Sequence, residues 1–211
     1  MPVDEPLYPV NLRLAGERCL VIGGGAVAAG KVRGLLEAGA LVHVIAPDVQ
    51  PDIIGLDGVT VERRSYACGD IAGFRLAIAA TGDAKVNQAV FDDGQAAGVW
   101  VNAADDPDRC TFTLPARLRR GALLVTVATG GRSPAVAAWL RDRLAAEIGP
   151  EYDALLELVA DARSELQRQG RAVDPLAWRE ALDSGMLELV REGHLAEAKE
   201  RLQACLLSSS G

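Results

Sequence analysis

The stretch 20-LVIGGGAVAAGK-31 decides how the first half of the chain is read. An apolar run that begins at Cys19 meets three glycines. Ala28, Val32 and Leu35 or Leu36 then recur at the spacing of one helix face. Gly23-x-Gly25-x-x-Ala28 at a strand-to-helix junction has the form of a dinucleotide-binding turn. Gly23 allows the tight turn, Gly25 lets a pyrophosphate approach the backbone, and the small Ala28 lets helix and strand pack closely. The start of the helix then offers unpaired N–H groups to an anion. A plain tight turn is the competing reading, and the surrounding rhythm decides between them.

Moving outward, Gly39 stands where the helix should end. The runs 41-LVHVIAP-47, 59-VTVERR-64, 75-RLAIAA-80 and 99-VWVNAA-104 follow, with a helix expected over 83–97. Short, often continuously apolar strands alternating with helices predict an α/β domain, a Rossmann-like parallel sheet covered on both faces. In such a domain an acid at the end of the second strand holds the adenosine ribose. The sequence there is Ile45-Ala46-Pro47-Asp48, so the acid arrives about two residues late. Asp48, or backbone groups around Pro47, are the candidates. No arginine lies beside Asp48 in the sequence to receive a 2′-phosphate, which favours NAD over NADP.

After Thr111 the rhythm changes. The segment 111-TFTLPARLRRGALLVTVATGG-131 predicts two extended stretches with a turn near Gly121. Ser133-Pro134 supplies an N-cap and a first helical residue, and Val136, Leu140 and Leu144 mark the expected buried face. Beyond Gly149-Pro150 the chain reads as helices to Leu207, with a break at 170-GRAVDP-175. His43 and His194 read as structural residues. Trp100, Trp139 and Trp178 suit core or interface positions.

Composition fits a soluble globular protein. No apolar run approaches the roughly 20 residues that cross a bilayer, and the N-terminus lacks the basic and apolar regions of a signal peptide. A cytoplasmic protein without membrane association is expected. Cys19, Cys68, Cys110 and Cys205 form no CxxC pair, so reduced thiols and no zinc site are expected. A net charge of −7 argues against nucleic-acid binding. That charge is uneven: between residues 109 and 143, Arg109, Arg117, Arg119, Arg120, Arg132, Arg141 and Arg143 face Asp142 alone. The island suits either an anionic ligand or an interface. Just ahead of it stand Asn102 and the paired acids Asp105 and Asp106, for which an ordinary surface turn is the simplest reading.

Four blocks give these features a common source: 8-YPVNLRLAGERCLVIGGGAVAAGK-31, 78-IAATGDAKVN-87, 102-NAADDPDRCTF-112 and 121-GALLVTVATGGRSPAVAAWLR-141. In that order they resemble the precorrin-2 dehydrogenase family, which includes the N-terminal part of sirohaem synthases; 178-WREALDSG-185 is compatible with it. The resemblance implies an NAD-dependent oxidoreductase that converts precorrin-2 to sirohydrochlorin. It implies a homodimer, with a nucleotide domain over 1–112, a small α+β dimerisation segment over 113–148 and a helical domain over 149–211. Residue by residue, it assigns Asp105 as catalytic and Asp106 no chemistry. Gly23, Gly25, Ala26, Val27, Pro47, Asp48, Ala80 and Thr81 would contact the nucleotide.

The tetrapyrrole substrate is rich in carboxylates. Asn102, Arg109, Arg117, Arg120, Thr129, Gly130, Gly131 and Ser133 are the candidates to bind it, with guanidinium forks and glycine-turn N–H groups suited to such anions. Thr129 stands where the family often has serine. Some relatives also insert ferrous iron into the product, so iron is a second substrate to test and a ferrochelatase (lyase) activity is compatible. From the length, no methyltransferase domain is expected after residue 150. The competing reading is a regulatory module that binds NAD without turnover.

Overall fold

The structure, a computed structural model, describes residues 6–104, 106–171 and 174–208. The chain divides into two units, Met1–Leu114 with Gly130–Ser133, and Pro115–Thr129 with Pro134–Gly211.

In the first unit five strands, β1 (Arg18–Ile22), β2 (Leu41–Ile45), β3 (Val59–Glu62), β4 (Leu76–Ala79) and β5 (Trp100–Ala103), form one sheet. Its order is β3-β2-β1-β4-β5 and every pair is parallel. Side chains alternate between the two faces, as a pleated strand requires. Cys19, Val21, Val42, Val44, Leu76 and Ile78 pack with Ala28, Ala29, Val32 and Leu35 of α1 (Ala26–Leu36) on one face. Leu20, Ile22, Ile45, Ala77, Ala79, Val101 and Ala103 pack with Val90 of α2 (Ala84–Ala97) on the other. Burial on both faces is why the strands read as continuous apolar runs.

No helix lies between β2 and β3 or between β3 and β4 among the described residues. Their connections supply Val49 and Ile53 to one core, and Ile71 and Phe74 to the other. α2 begins at an Asp83 cap, whose carboxylate accepts from the Lys85 N–H at 2.8 Å, and ends at Gly98 in the left-handed conformation.

Polar clamps hold the loop between β3 and β4. Arg64 donates to Glu62 at 2.6 Å and to both oxygens of Asp70 at 2.5 and 3.0 Å. Asp93 on α2 accepts from Tyr66, Cys68 and the Gly69 N–H. Asp70 is held below its usual range by Arg64, and Asp93 by the Tyr66 hydroxyl. His43 is structural: Nδ1 lies 2.6 Å from Thr60 Oγ1 and Nε2 lies 3.0 Å from Glu62. Cys19 is fully buried, and burial pushes its thiol up to about 11.

In the second unit β6 (Ala116–Arg120) and β7 (Leu123–Val127) form a hairpin that turns at Gly121-Ala122. Asp153 of α4 (Glu151–Arg168) accepts from the Ala122 N–H at 3.2 Å and ties the turn to the helices. α3 (Pro134–Glu147) packs on the hairpin. α5 (Pro175–Ala181), a kink over Leu182–Met186 where Gly185 has φ +85°, α6 (Leu187–Arg191) and α7 (Leu195–Ser208) complete the unit around Ala177, Ala181, Met186, Leu202 and Leu206.

One expectation is corrected on α3. Val136 and Leu140 were expected on its buried face, yet they are 50% and 38% exposed, Leu144 is half-buried, and Ala137 is the buried residue. The small side chain is the one covered, and the larger apolar residues beside it stay exposed. Trp139, 56% exposed, joins them.

Candidate functional site

The carboxyl ends of parallel strands are where α/β sheets bind ligands, above all where the strand order reverses. Here that point lies between β1 and β4, whose following loops carry Gly23–Gly25 and Ala80–Thr81. The Ala80 N–H donates to the Ile22 carbonyl at 2.7 Å, and the Gly23 N–H donates to the Ile45 carbonyl at 3.0 Å. The loops after β1, β2 and β4 are thereby pinned to one another.

Two glycines are required by contact. Gly23 has φ +119°, and a Cβ there would lie 2.3 Å from the Ala80 carbonyl oxygen. A Cβ on Gly24 would lie 2.0 Å from the Asp48 carbonyl oxygen and 2.7 Å from the Val49 Cα. Gly25 differs, because a Cβ there would meet nothing within 4 Å. It is the N-cap of α1, makes no side-chain cap, and no acid stands in the first helical turn. Gly25, Ala26 and Val27 are exposed. The result is an open, uncapped helix N-terminus, positively poled by its peptide dipoles. These residues fit the pyrophosphate of a dinucleotide, and bound NAD would bring a hydride acceptor to this edge.

All eight residues expected to touch the nucleotide lie along this edge. Pro47 and Asp48 are exposed beyond β2. Thr81 donates to Asn87 Oδ1 at 2.8 Å, while Asn87 Nδ2 donates back to the Thr81 carbonyl at 3.2 Å. Asn87 is buried on α2 and fixes that loop. Sequence reasoning missed it, although a polar residue on the inner face of an amphipathic helix was the available signal. Gly24 was missed as well, since its constraint comes from residues 48 and 49.

β5 leads into the loop that carries the paired acids. Asp105 lies outside the described residues. Around it, the Ala104 N–H donates to the Ala79 carbonyl at 2.8 Å and the Thr111 N–H donates to the Val101 carbonyl at 2.7 Å. The Val101 N–H donates to Thr111 Oγ1 at 2.8 Å, and Asn102 pairs with Cys110 in an antiparallel bridge. Asn102 is buried, with Nδ2 donating to the Phe112 carbonyl at 2.9 Å. Asp106 is paired with Arg109, whose Nε donates to Gln88 at 2.6 Å. Cys110 donates to the Ala103 and Asp106 carbonyls at 3.3 and 3.2 Å. Burial raises its thiol pKa.

The remaining candidates fall in two places. Gly130, Gly131 and Ser133 group with the first unit, both glycines having positive φ. Arg117, Arg120 and Thr129 belong to the second. Arg120 donates from Nε to the Ile148 carbonyl at 3.0 Å and from Nη2 to the Ala145 carbonyl at 3.3 Å. It caps the C-terminal end of α3, where a cation also meets the helix dipole. Arg120→Ala is expected to cost about 1–2 kcal/mol, read as a lower urea midpoint with unchanged m. Among the described residues no group of three His, Cys, Asp or Glu side chains could hold a metal. Nor is any helix there long and apolar enough to cross a membrane.

A family model described as putative NAD(P)-binding matches residues 10–116. The chain is 35% identical over 208 residues to the siroheme synthase of Nitrosomonas eutropha, covering 96% of this chain and 44% of that protein. It is 36% identical over 205 residues to the siroheme synthase of Chromobacterium violaceum, covering 93% and 43%. The chain thus spans less than half the length of these curated relatives. Among solved structures, SirC, precorrin-2 dehydrogenase, is similar with 26% identity and a TM-score of 0.72, covering 94% of this chain and 98% of that one.

Proposed function

The chain belongs to the precorrin-2 dehydrogenase family, and from that premise we propose that it oxidises precorrin-2 to sirohydrochlorin with NAD. The observation that carries this reading is the extent of the likeness: it covers nearly the whole of a precorrin-2 dehydrogenase rather than stopping at a nucleotide fold shared by many enzymes.

In this reading the N–H groups of Gly25, Ala26 and Val27 hold the pyrophosphate, which the Gly23 turn lets approach, while Pro47 and Asp48 hold the adenosine. Ala80 and Thr81 contact the nicotinamide half, with Asn87 fixing the loop. Asp105 is the catalytic group: its carboxylate takes the proton that leaves as the hydride is lost, or accepts hydrogen bonds from the pyrrole N–H groups and orients the ring. Arg109, Arg117, Arg120, Thr129, Gly130, Gly131 and Ser133 serve the substrate's carboxylates. A guanidinium carries five donors, so Arg109 keeps N–H groups for this beyond its bonds to Gln88 and Asp106. Asn102 supports the loop from behind. Ferrous iron would enter as a second substrate after oxidation.

The protein would act as a cytoplasmic homodimer, with residues 113–148 as the dimerisation segment. Free thiols at Cys19, Cys68 and Cys110 suit a reducing compartment. The exposed apolar residues Val136, Trp139 and Leu140 at helical spacing on α3 suit a subunit contact. Trp139→Glu is expected to convert the dimer to monomer, as measured by analytical ultracentrifugation, without lowering helix content.

The test is anaerobic incubation with precorrin-2 and NAD, following the sirohydrochlorin spectrum, with ferrous iron added afterwards. Product formation that depends on the protein supports the dehydrogenase. NAD binding without product would favour a regulatory module.

A further inference from the structure

NAD and NADP differ by one phosphate on the adenosine ribose, and residues around that ribose decide which is taken. In the sequence Asp48 has no arginine beside it, but the sheet supplies one from another strand. Ile45 of β2 stands opposite Glu62 of β3, and the Ala46 N–H donates to the Glu62 carbonyl at 3.2 Å. Residues 46 and 63 therefore leave the carboxyl edge side by side, about 5 Å apart at the backbone. Ile22 stands opposite Ile45 and continues the row to Gly23. Read outward from the glycine turn, the edge carries Gly23, then Ala46–Asp48, then Arg63.

The charged groups on this rim are unequally committed. Arg64 is held by Glu62 and Asp70. Arg33 is held by Asp52 at 2.9 Å. Glu62, next to Arg63, is occupied by Arg64 and His43, and Arg64 holds its carboxyl below the usual range. Arg63 and Asp48 are both exposed, and neither side chain makes an ion pair with a described residue.

We infer that Arg63 is a specificity-determining residue for the cofactor, receiving the 2′-phosphate so that the chain binds NADP as well as NAD. Asp48 works against it. Its carboxylate accepts hydrogen bonds from ribose hydroxyls and repels a phosphate, whereas a guanidinium binds phosphate as a charge-matched fork. The order of preference is then NAD first, with NADP within reach. The inference rests on the nucleotide-binding part of the proposed function and needs no tetrapyrrole.

Equilibrium titrations with NAD, NADP and 2′,5′-ADP test it on the whole chain. In Arg63→Gln the affinity for NADP relative to NAD is expected to fall about tenfold to a hundredfold, the worth of charge-assisted hydrogen bonds. Binding of 2′,5′-ADP should fall with it, and Arg63→Lys should restore part of the ratio. Asp48→Asn is expected to move the ratio toward NADP by about tenfold. Added salt should shrink the Arg63 effect.

An unchanged ratio in Arg63→Gln, with its thermal midpoint intact, would overturn the inference. So would a wild type that binds NAD and shows no NADP binding. Failure of the wild type to bind either nucleotide would remove the nucleotide-binding reading itself, and this inference with it.

Discussion

Gly23→Ala is expected to lower the unfolding midpoint by about 10 °C or more and to abolish NAD binding. Gly25→Ala should fold normally and lose binding alone. At Gly23 two costs coincide: a φ of +119° disfavours a side chain, and the new Cβ would stand 2.3 Å from the Ala80 carbonyl oxygen. That neighbour is backbone, and its N–H is bonded to Ile22, so it cannot move without opening the junction between β1 and β4. Strain of about 1–3 kcal/mol and overpacking of similar size are a large share of an ordinary domain's stability. At Gly25 the same methyl meets no protein atom. It would project into the space where a pyrophosphate would lie against the helix N-terminus. Thermal melts and NAD titrations on both variants separate the outcomes. Equal stability for the two would show that the Gly23 contact is not rigid.

Asp105→Ala is expected to lower turnover of precorrin-2 by about a hundredfold to ten-thousandfold, the usual worth of a positioned acid–base group, while leaving NAD affinity unchanged. Asp105→Asn separates the two roles open to the carboxylate. Asparagine still accepts a hydrogen bond from a pyrrole N–H but takes no proton, so partial activity marks an orienting role and full loss marks a base. Asp106 is the control. It is paired with Arg109, which also holds Gln88 of α2, so Asp106→Ala should change stability more than turnover. Rates from the sirohydrochlorin spectrum, set beside urea midpoints, give the comparison. Turnover within tenfold of wild type in Asp105→Ala would remove the residue from the chemistry.

Much of the nucleotide unit was legible because its signals are local. A strand buried on both faces reads as an apolar run, and the glycine turn announces itself within six residues. What stayed hidden depends on residues brought together from afar. The need for glycine at position 24 comes from Asp48 and Val49. The arginine missing beside Asp48 in the sequence arrives as Arg63 through the register of β2 and β3. On α3 helical periodicity finds an apolar stripe, but periodicity does not say what covers it, and Ala137 rather than Val136 or Leu140 is buried. Arg120 reads as part of an anion-binding island, and its bonds to the helix end at Ala145–Ile148 cannot be seen from position 120. The paired acids were legible only through the family resemblance, since an Asp-Asp-Pro turn alone carries no chemistry.

The return of the chain alongside β5 has a consequence for solubility. An open parallel sheet ends in two strands whose outer N–H and C=O groups can template a neighbouring molecule. On the β5 side, Thr111 and Cys110 occupy that rim by bonding Val101 and Asn102, so the segment leading away from the acids also closes the sheet to further strands. The β3 side has no such cover among the described residues. It is only four residues long and is followed by two arginines, a short, charged margin that discourages edge-to-edge aggregation.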